Sequence, residues 1–337
     1  MKVLLIGGTG LLGSEAAKEL IKRGHSVIGM ALPPVPEGAD IPPQMELILK
    51  DFMSLSTHEL AGILKQCDGL VFAAGVDERI EGPAPIYDMF HKYNIAPLQK
   101  LLPLAKESGI RQVVICGSYF TYFERTFPEW ELYKDHPYIR SRVDQAKVAL
   151  DFADDNFAVS VLELPYIFGA QKGRKPVWTF LVEMIRQMPA VTLYPKGGTA
   201  MITARQVGEC IASALELGEG GQLFPVCTHN MTWKEMLSIF HEYMGMPNRK
   251  IITIPTFLFR ANAKKIAKEQ AESGLEGGLN MVKFVKVMTS NAFMSDHTAK
   301  TLFGVKPDDI NKAIGESVQL SLDVLEKKAD VIDMKGE

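Results

Sequence analysis

The sequence predicts an α/β protein that is built on a doubly wound parallel sheet and carries a smaller C-terminal α/β lobe. Three observations lead to this expectation: short apolar runs, amphipathic stretches between them, and a change of pattern after about residue 169. Uninterrupted apolar runs flanked by glycine or polar residues are typical of strands that are buried on both faces of a parallel sheet. They occur at residues 3–6, 27–30, 70–73, 113–116 and 159–162.

Helical patterns separate the runs. Residues 14–23 place apolar side chains on one helical face and charged side chains on the other, and residues 58–66 and 97–108 do the same. Strands that alternate with helices in this way predict right-handed crossovers within one sheet.

The pattern after residue 169 is mainly helical. Thr232 and Glu235 have the spacing of a capping box at the start of one of these helices. We expect one domain over residues 1–168 and, over 169–330, mainly a second lobe, from which some segments return to the first domain. The helices predicted in the lobe cover residues 178–187, 207–217, 232–244, 261–277 and 309–325.

Composition excludes several classes of protein. The 337 residues are 47% hydrophobic and 23% charged with a net charge of -3, so neither disorder nor nucleic-acid binding is expected. The apolar runs are too short for a membrane span or a signal peptide, which makes the cytoplasm the expected location. The four cysteines have no metal-ligand spacing, and we expect buried thiols and no metal; they are Cys67, Cys116, Cys210 and Cys227.

A glycine-rich turn directly follows the first run and opens the first helix. Gly7, Gly10 and Gly13 allow a tight turn, a close approach of the backbone to a diphosphate, and close packing of helix on strand. The helix N-terminus would then present free N–H groups to the anion. The turn therefore predicts a Rossmann-type site for NAD or NADP, whose phosphates would contact Thr9, Leu11 and Leu12 as well.

The usual determinant of NAD against NADP is absent. An acid that binds the ribose 2′-hydroxyl is expected at the end of the second strand, but Ala31 stands there, followed by Leu32. No arginine replaces it for a 2′-phosphate, so the sequence leaves the choice of cofactor open. Asp51, after the third strand, is either an acceptor for the adenine amine or a turn aspartate.

These motifs together resemble the short-chain dehydrogenase/reductase family in its extended or atypical branch, which contains NAD-dependent epimerases and dehydratases, steroid dehydrogenases and dihydroflavonol-type reductases. The resemblance covers nearly the whole chain. It implies cofactor contacts from a further set of positions: Phe52, Ala73, Ala74, Gly75, Asn94, Pro165 and Ile167.

The same resemblance implies a catalytic set. The family places a serine after its fifth strand and a Tyr-x-x-x-Lys on the next helix; here Ser118 and Tyr138 occupy these places, but Arg142 stands for the lysine. The tyrosine would exchange a proton with a substrate oxygen that the serine orients. A phenol needs a nearby cation to work near neutral pH, and arginine supplies the charge with a different geometry.

Other positions bear on the substrate. Tyr119 and Tyr122 follow Ser118 and, with Tyr166, are expected to line a substrate pocket, although ordinary packing would also explain them. The polar stretch 169–176 is expected to be a lid, whose cations either bind substrate phosphates or are merely solvated; they are Lys172, Arg174 and Lys175.

Two further departures from the family pattern are Glu163, where arginine is common, and Gln206, where aspartate is common.

Three functions follow. The leading hypothesis is an NAD(P)-dependent oxidoreductase that transfers hydride between the nicotinamide and a carbonyl or secondary alcohol of a small molecule. The second is an NAD-dependent sugar-nucleotide epimerase or dehydratase that holds its cofactor tightly. The third, favoured by Ala31 and Arg142, is a catalytically decayed NAD(P)-binding regulatory or scaffold protein. By resemblance, a homodimer is expected through residues 98–106 and 143–152.

Overall fold

The computed structural model describes residues 1–188 and 190–333. Its strands are, in chain order, β1 (Lys2–Ile6), β2 (Ser26–Ala31), β3 (Glu46–Leu49), β4 (Gly69–Phe72), β5 (Glu81–Pro83), β6 (Gln112–Cys116), β7 (Ala158–Glu163), β8 (Tyr166–Phe168), β9 (Thr192–Pro195), β10 (Gly198–Thr203), β11 (Gln222–Pro225), β12 (His229–Thr232), β13 (Ile251–Ile254), β14 (Leu275–Gly277) and β15 (Asn291–Ala292).

The α-helices are α1 (Leu11–Lys22), α2 (Thr57–Leu64), α3 (Tyr87–Phe90), α4 (Ala96–Glu107), α5 (Phe120–Thr126), α6 (Leu132–Asp135), α7 (Pro137–Asp151), α8 (Thr179–Gln187), α9 (Ala204–Leu217), α10 (Trp233–Tyr243), α11 (Thr256–Glu272), α12 (Met281–Met288) and α13 (Ile310–Leu325). Short π-helical segments cover His91–Ile95 and Thr298–Leu302, and a 3-10 turn covers Pro128–Trp130.

The main sheet has seven parallel strands in the order β11-β7-β6-β4-β1-β2-β3. The chain starts at β1, runs outward through β2 and β3, and then returns to β4 on the other side of β1. Ligands of open parallel sheets bind outside the carboxyl ends of the strands at such a reversal point. The predicted fold class is confirmed, and the reversal lies where the glycine turn follows β1.

Helices cover both faces of this sheet, as the apolar strand composition predicts. Val3 and Leu5 of β1 pack with α1 and α9 on one face. Leu4 and Ile6 pack with α2, α4 and α7 on the other, because successive side chains of a strand point to opposite faces. Both ends of β1 are thereby fixed within the core, and the glycine turn leaves it from a rigid base.

Much of the chain after residue 168 builds smaller structures beside the main sheet. Strand β10 pairs with β8, β12 and β15, β9 pairs with β13, and β5 pairs with β14. Two segments return to the main sheet: α9 packs on α1, and β11 forms its edge beside β7. The capping box predicted at Thr232 and Glu235 is confirmed at the start of α10.

The helix predicted over residues 261–277 was wrong at both ends. Helix α11 begins at Thr256, directly after Pro255, and ends at Glu272. Gly274 adopts a left-handed conformation with φ of 68°, which terminates the helix, and residues 275–277 form β14. The apolar run before residue 261 belongs to the helix, because a proline is favoured at the N-terminal end of a helix.

Within residues 1–188 and 190–333, no helix has the length and apolar character that a bilayer crossing requires.

Candidate cofactor and active site

The glycine turn is too tightly packed for any side chain at two of its positions. A Cβ at Gly7, whose φ is 88°, would lie 2.4 Å from the carbonyl oxygen of Ala73 after β4. A Cβ at Gly13 would lie 2.1 Å from the carbonyl oxygen of Gly7, so α1 presses directly on the turn. Gly10 precedes the helix with an extended backbone. Gly7 and Gly13 therefore have the steric roles in the turn and in helix packing that their spacing predicts, and the approach of a diphosphate at Gly10 stays a prediction.

The first turn of α1 is open to an anion. Gly10 has no side chain to cap the helix, and no acidic residue lies in its first turn. The first N–H groups of an α-helix have no partner within the helix, and the helix dipole adds positive potential there. Leu11, Leu12 and Gly13 supply these groups next to the carboxyl ends of β1 and β4.

The residues after β2 and β3 show weaker signs of a cofactor site than the glycine turn does. Ala31 is the last residue of β2 and is 8% exposed. The Asp51 carboxylate accepts the N–H of Met53 at 2.8 Å, which is the bond of a turn aspartate. Phe52 packs edge-on against Phe72 with ring centroids 6.3 Å apart. The local bond of Asp51 supports the second of its two interpretations.

The segment after β4 is held by Asn94. Its side chain is fully buried in the π-helical segment, where its Oδ1 accepts the N–H of Val76 at 2.9 Å and its Nδ2 donates to the Val76 carbonyl at 3.2 Å. Gly75, with φ of 135°, passes so close that a Cβ would lie 2.6 Å from Asn94 Oδ1. Asn94 therefore fixes the course of the backbone that follows Ala73 and Ala74.

Ser118, Tyr138 and Arg142 meet at the carboxyl edge of the sheet. The Ser118 side chain lies beside the Tyr138 hydroxyl and acts to lower its pKa, and the Arg142 guanidinium carbon lies 5.6 Å from the centre of the Tyr138 ring. Helix α7 begins at Pro137, and the Tyr138 N–H donates to the Gly278 carbonyl at 2.9 Å. The i, i+4 spacing thus brings the cation over the phenol, as the sequence predicts.

Arg142 does not dominate the acidity of the phenol. Tyr138 is 4% exposed, and this burial raises its pKa to about 12 although the Arg142 cation acts in the opposite direction. The carboxylates of Glu78 and Asp77 add to the rise, because a negative neighbour disfavours a phenolate. At neutral pH Tyr138 is therefore a protonated phenol and a proton donor.

Two buried guanidinium atoms indicate that the site fits a dinucleotide. Nε of Arg142 and Nε of Arg174 are inaccessible to solvent and have no hydrogen-bond partner among the described residues. Nη1 of Arg142 donates to Gln145, which in turn donates to the Asn94 carbonyl at 2.7 Å. Cations with unused donors beside a glycine cradle match a ligand that carries phosphates and ribose hydroxyls.

Glu78 is a site residue that sequence reasoning missed. Its carboxylate interacts electrostatically with Tyr138, Tyr119, Tyr166 and Arg142, so it faces the same space. Burial, followed by the Asp77 carboxylate, raises the pKa of Glu78 to about 7, while Arg79 and Arg142 oppose the rise. No local motif marks this glutamate, because its surroundings come from α7, β8 and the turn after Ser118.

Replacing Glu78 with glutamine is expected to stabilise the protein only at higher pH. The folded-state pKa of Glu78 lies above its ordinary value, so the wild type loses stability as the pH rises through 7. The unfolding free energy of Glu78→Gln should exceed that of the wild type by less than about 1 kcal/mol at pH 5 and by about 3 kcal/mol at pH 8. Urea unfolding at both values measures this. Glu59→Gln is the control, because hydrogen bonds from Ser56 lower the pKa of Glu59; equal curves for Glu78→Gln and wild type at pH 8 would contradict the prediction.

Aromatic rings line the space beside Tyr138. Phe90 and Phe120 meet the Tyr138 ring edge-on, with centroids 5.5 and 6.3 Å away. Tyr119 donates to or accepts from Thr199 at 3.2 Å, and its ring lies 6.1 Å from that of Tyr166. The structure therefore brings Tyr119 and Tyr166 together near Glu78. Tyr122 packs against Phe123 at 5.4 Å.

An open cavity adjoins these residues. Its volume is about 230 Å³, and it is lined by Val76, Asp77, Arg79, Ile80, Lys175 and Asp333. Val76 links the cavity to Asn94, and Asp77 links it to Tyr138 through charge.

The cations of residues 169–176 have different surroundings. Lys175 pairs with Asp333 at 2.6 Å, Arg174 donates to Thr9 at 2.9 Å, and Lys172 is exposed. Pro165 is buried before β8, and the carbonyl of Ile167 accepts the indole N–H of Trp178 at 2.8 Å. The loop therefore brings Arg174 to the glycine turn.

Glu163 and Gln206 have structural partners. Glu163 is fully buried at the end of β7 and accepts two hydrogen bonds from Arg125, at 2.5 and 2.9 Å, and one from Thr121. Gln206 forms a capping box with Thr203 at the start of α9 and donates to the Lys306 carbonyl. Glu163 fixes α5, which follows directly after Ser118.

Removing the Arg125 side chain is expected to lower the free energy of unfolding. Arg125→Met leaves the buried Glu163 carboxylate without a counter-charge, which costs about 3 kcal/mol. Arg186→Met is the control, because Arg186 pairs with Glu326 at 3.3 Å with both side chains exposed, and should cost less than about 1 kcal/mol. Denaturant unfolding compares the two, and equal costs would show that the burial of the Glu163 carboxylate gives its ion pair no special weight.

Several known proteins resemble this chain in sequence or in structure. A model of the NAD dependent epimerase/dehydratase family matches residues 3–211. The protein gox2253 shares the fold with a TM-score of 0.72 at 19% identity, over 98% of this chain and 99% of that chain. A nucleoside-diphosphate-sugar epimerase from Pseudomonas aeruginosa gives 0.68 at 14% identity, over 98% and 99%.

A UDP-glucuronic acid 4-epimerase from Bacillus cereus, solved with UDP-glucuronic acid and NAD, gives 0.68 at 12% identity, over 96% and 100%. At these identities the likeness shows the fold alone. No curated protein matches the sequence significantly.

Proposed function

Because the chain belongs to the NAD dependent epimerase/dehydratase family, we propose that it is an NAD(P)-dependent oxidoreductase acting on a carbonyl or secondary alcohol of a small molecule. Membership confirms the resemblance that the motifs predicted and the cofactor class, NAD or NADP. The observation that carries the proposal is the buried Tyr138 phenol, which has Ser118 beside its hydroxyl and the Arg142 cation over its ring.

The cofactor would be held by the glycine turn. The N–H groups at the start of α1 would bind the diphosphate, and Asn94 and Arg142, which both lie close to Gly75, would border the nicotinamide. When bound, NAD(P) supplies or takes up the hydride.

Tyr138 would donate its proton to the substrate oxygen. Its pKa of about 12 keeps it protonated at neutral pH, so it could serve as the general acid in the reduction of a carbonyl. Ser118 would orient the same oxygen, and Arg142 would stabilise the phenolate that forms when the proton leaves. Glu78 would be the second proton-exchanging group at the site, since its pKa lies near neutrality.

The substrate would occupy the aromatic space between the two parts of the chain. Tyr119 and Phe120 come from before residue 168, and Phe284 on α12 comes from the C-terminal lobe, 5.9 Å from the Phe120 ring. Apolar rings beside the Glu78 carboxyl, which is only partly ionised near neutral pH, suit an uncharged or partly apolar carbonyl compound.

A sugar-nucleotide epimerase or dehydratase is the second candidate, favoured by the family match and by the titles of the structural neighbours. Of the loop cations that would bind a substrate diphosphate, Arg174 lies at the glycine turn, where it donates to Thr9, and Lys175 pairs with Asp333. This arrangement favours the oxidoreductase.

Binding and turnover test the proposal in sequence. Calorimetric titration of the wild type with NAD+, NADH, NADP+ and NADPH should give saturable binding to at least one of them. Reduced cofactor should then be consumed with a panel of ketones and aldehydes. Isomerisation of a sugar nucleotide without net change in reduced cofactor would favour the epimerase. Binding of none of the four dinucleotides would overturn both proposals.

Sedimentation of the same samples tests the proposed homodimer through α4 and α7.

A further inference from the structure

Arg174 lies between the glycine turn and the segment that follows β2. Its Nη2 donates to the Thr9 hydroxyl at 2.9 Å, and Thr9 is itself 1% exposed. The preceding Gly173 is in contact with that segment, since a Cβ at Gly173 would lie 2.5 Å from Cβ of Pro36 and 2.7 Å from the Glu37 carbonyl oxygen. The guanidinium therefore reaches the place where β1 and β2 end side by side.

The backbone of this loop is anchored from the opposite side. The Gly173 carbonyl accepts the N–H of Ile332 at 2.8 Å, and the Lys175 N–H donates to the Ile332 carbonyl at 3.2 Å. The Arg174 N–H donates to the Gln171 carbonyl at 3.1 Å. These bonds hold the loop in one course, so that the guanidinium is positioned before any ligand arrives.

Arg174 is a cation without a counter-ion among residues 1–188 and 190–333. It is half-buried, its Nε is inaccessible and unpartnered, and none of the ion pairs found in that part of the chain includes it. Burial lowers its pKa, and no carboxylate acts to raise it again. A partly buried cation without a counter-ion is disfavoured, and a bound anion removes that cost.

The position of the guanidinium indicates which anion. The end of the second strand faces the 2′ position of the adenosine ribose, and an arginine nearby accommodates a 2′-phosphate. Here Ala31 and the exposed Leu32 supply no carboxylate that would bind a 2′-hydroxyl or repel a phosphate. We propose that Arg174 binds the 2′-phosphate of NADP, supplied from the loop after β8 because β2 lacks a determinant, and that the protein prefers NADP over NAD. This inference rests on the cofactor site of the proposed function.

Calorimetry with cofactors and their fragments tests the inference. The wild type should bind NADP+ about 100-fold more tightly than NAD+, and adenosine 2′,5′-bisphosphate more tightly than 5′-AMP. The reason is that each charge-assisted hydrogen bond between the Arg174 guanidinium and the 2′-phosphate adds to the binding free energy. Arg174→Gln should lose about 100-fold in affinity for NADP+ and the bisphosphate, and less than about threefold for NAD+ and AMP. Lys172→Gln, an exposed cation on the same loop, should leave all four affinities unchanged.

Three outcomes would overturn the inference. One is a wild type that binds NAD+ and NADP+ equally, which needs no variant and leaves the proposed function intact. Another is an equal loss of both cofactors in Arg174→Gln, which would assign the guanidinium to the diphosphate. A wild type that binds neither dinucleotide would remove the proposed function together with this inference. If Arg174→Gln fails to fold, Arg174→Lys serves in its place and should retain part of the preference.

Discussion

Replacing Gly7 with alanine is expected to abolish useful cofactor binding and to destabilise the fold. The new Cβ would meet the Ala73 carbonyl at 2.4 Å, in a turn whose φ of 88° already disfavours a side chain. The clash and the strained backbone together should cost about 3 kcal/mol. Because the turn must shift on the order of 1 Å, affinity for the dinucleotide should fall about 100-fold. Thermal unfolding and calorimetric titration measure the two effects.

Gly24→Ala is a matched control for this change. Gly24 has a φ of 86°, close to that of Gly7, but nothing lies within 4 Å of the position of its Cβ. It should therefore cost only the backbone strain, about 1 kcal/mol, and leave cofactor affinity unchanged. If Gly24→Ala and Gly7→Ala change stability and cofactor affinity equally, the strained φ and not the close approach to β4 explains the need for glycine at position 7. The glycine turn would then have no specific role in cofactor binding.

Replacing Tyr138 with phenylalanine is expected to stop turnover without loss of cofactor. The ring keeps its contacts with Phe90 and Phe120, so that the fold and the cleft stay intact. Only the proton donor is lost, and the rate constant kcat should fall about 1,000-fold, within the usual range for a general acid. The cofactor Kd should change less than about twofold, because the phosphates bind at the start of α1.

Tyr133→Phe controls for the loss of a phenol on the same side of the molecule. The Tyr133 hydroxyl donates to Asp144 at 3.0 Å, and its side chain is exposed. Its removal should leave kcat unchanged. Undiminished turnover in Tyr138→Phe would refute the proposed acid and favour a cofactor-binding protein whose chemistry has decayed.

The main sheet could be predicted from local composition. Strands β1, β4, β6 and β7 are buried on both faces and are therefore mainly apolar, so each is visible as a short apolar run. Strands β5 and β14 have no such pattern: they read Glu-Gly-Pro and Leu-Glu-Gly, and they pair across the fold. Their existence depends on which segments the tertiary structure brings together.

The candidate site divides in the same way. The glycine turn and the Tyr138–Arg142 spacing are set by residues a few positions apart, and the sequence predicts both. Glu163 is noticeable in the sequence only as a departure from a family pattern, and its partner Arg125 becomes evident only when α5 folds back on β7.

The sequence by itself determined a doubly wound sheet, a tight glycine turn after β1 and a phenol with a cation one helical turn away. Each of these depends on sterics or periodicity within a short stretch of chain. Only the tertiary structure decided that Glu78 faces Tyr138 and that Arg174 reaches Thr9 from 165 positions along the chain. The acidity of a group and the charge of a pocket depend on distance in space and on burial, and folding sets both after the local elements have formed.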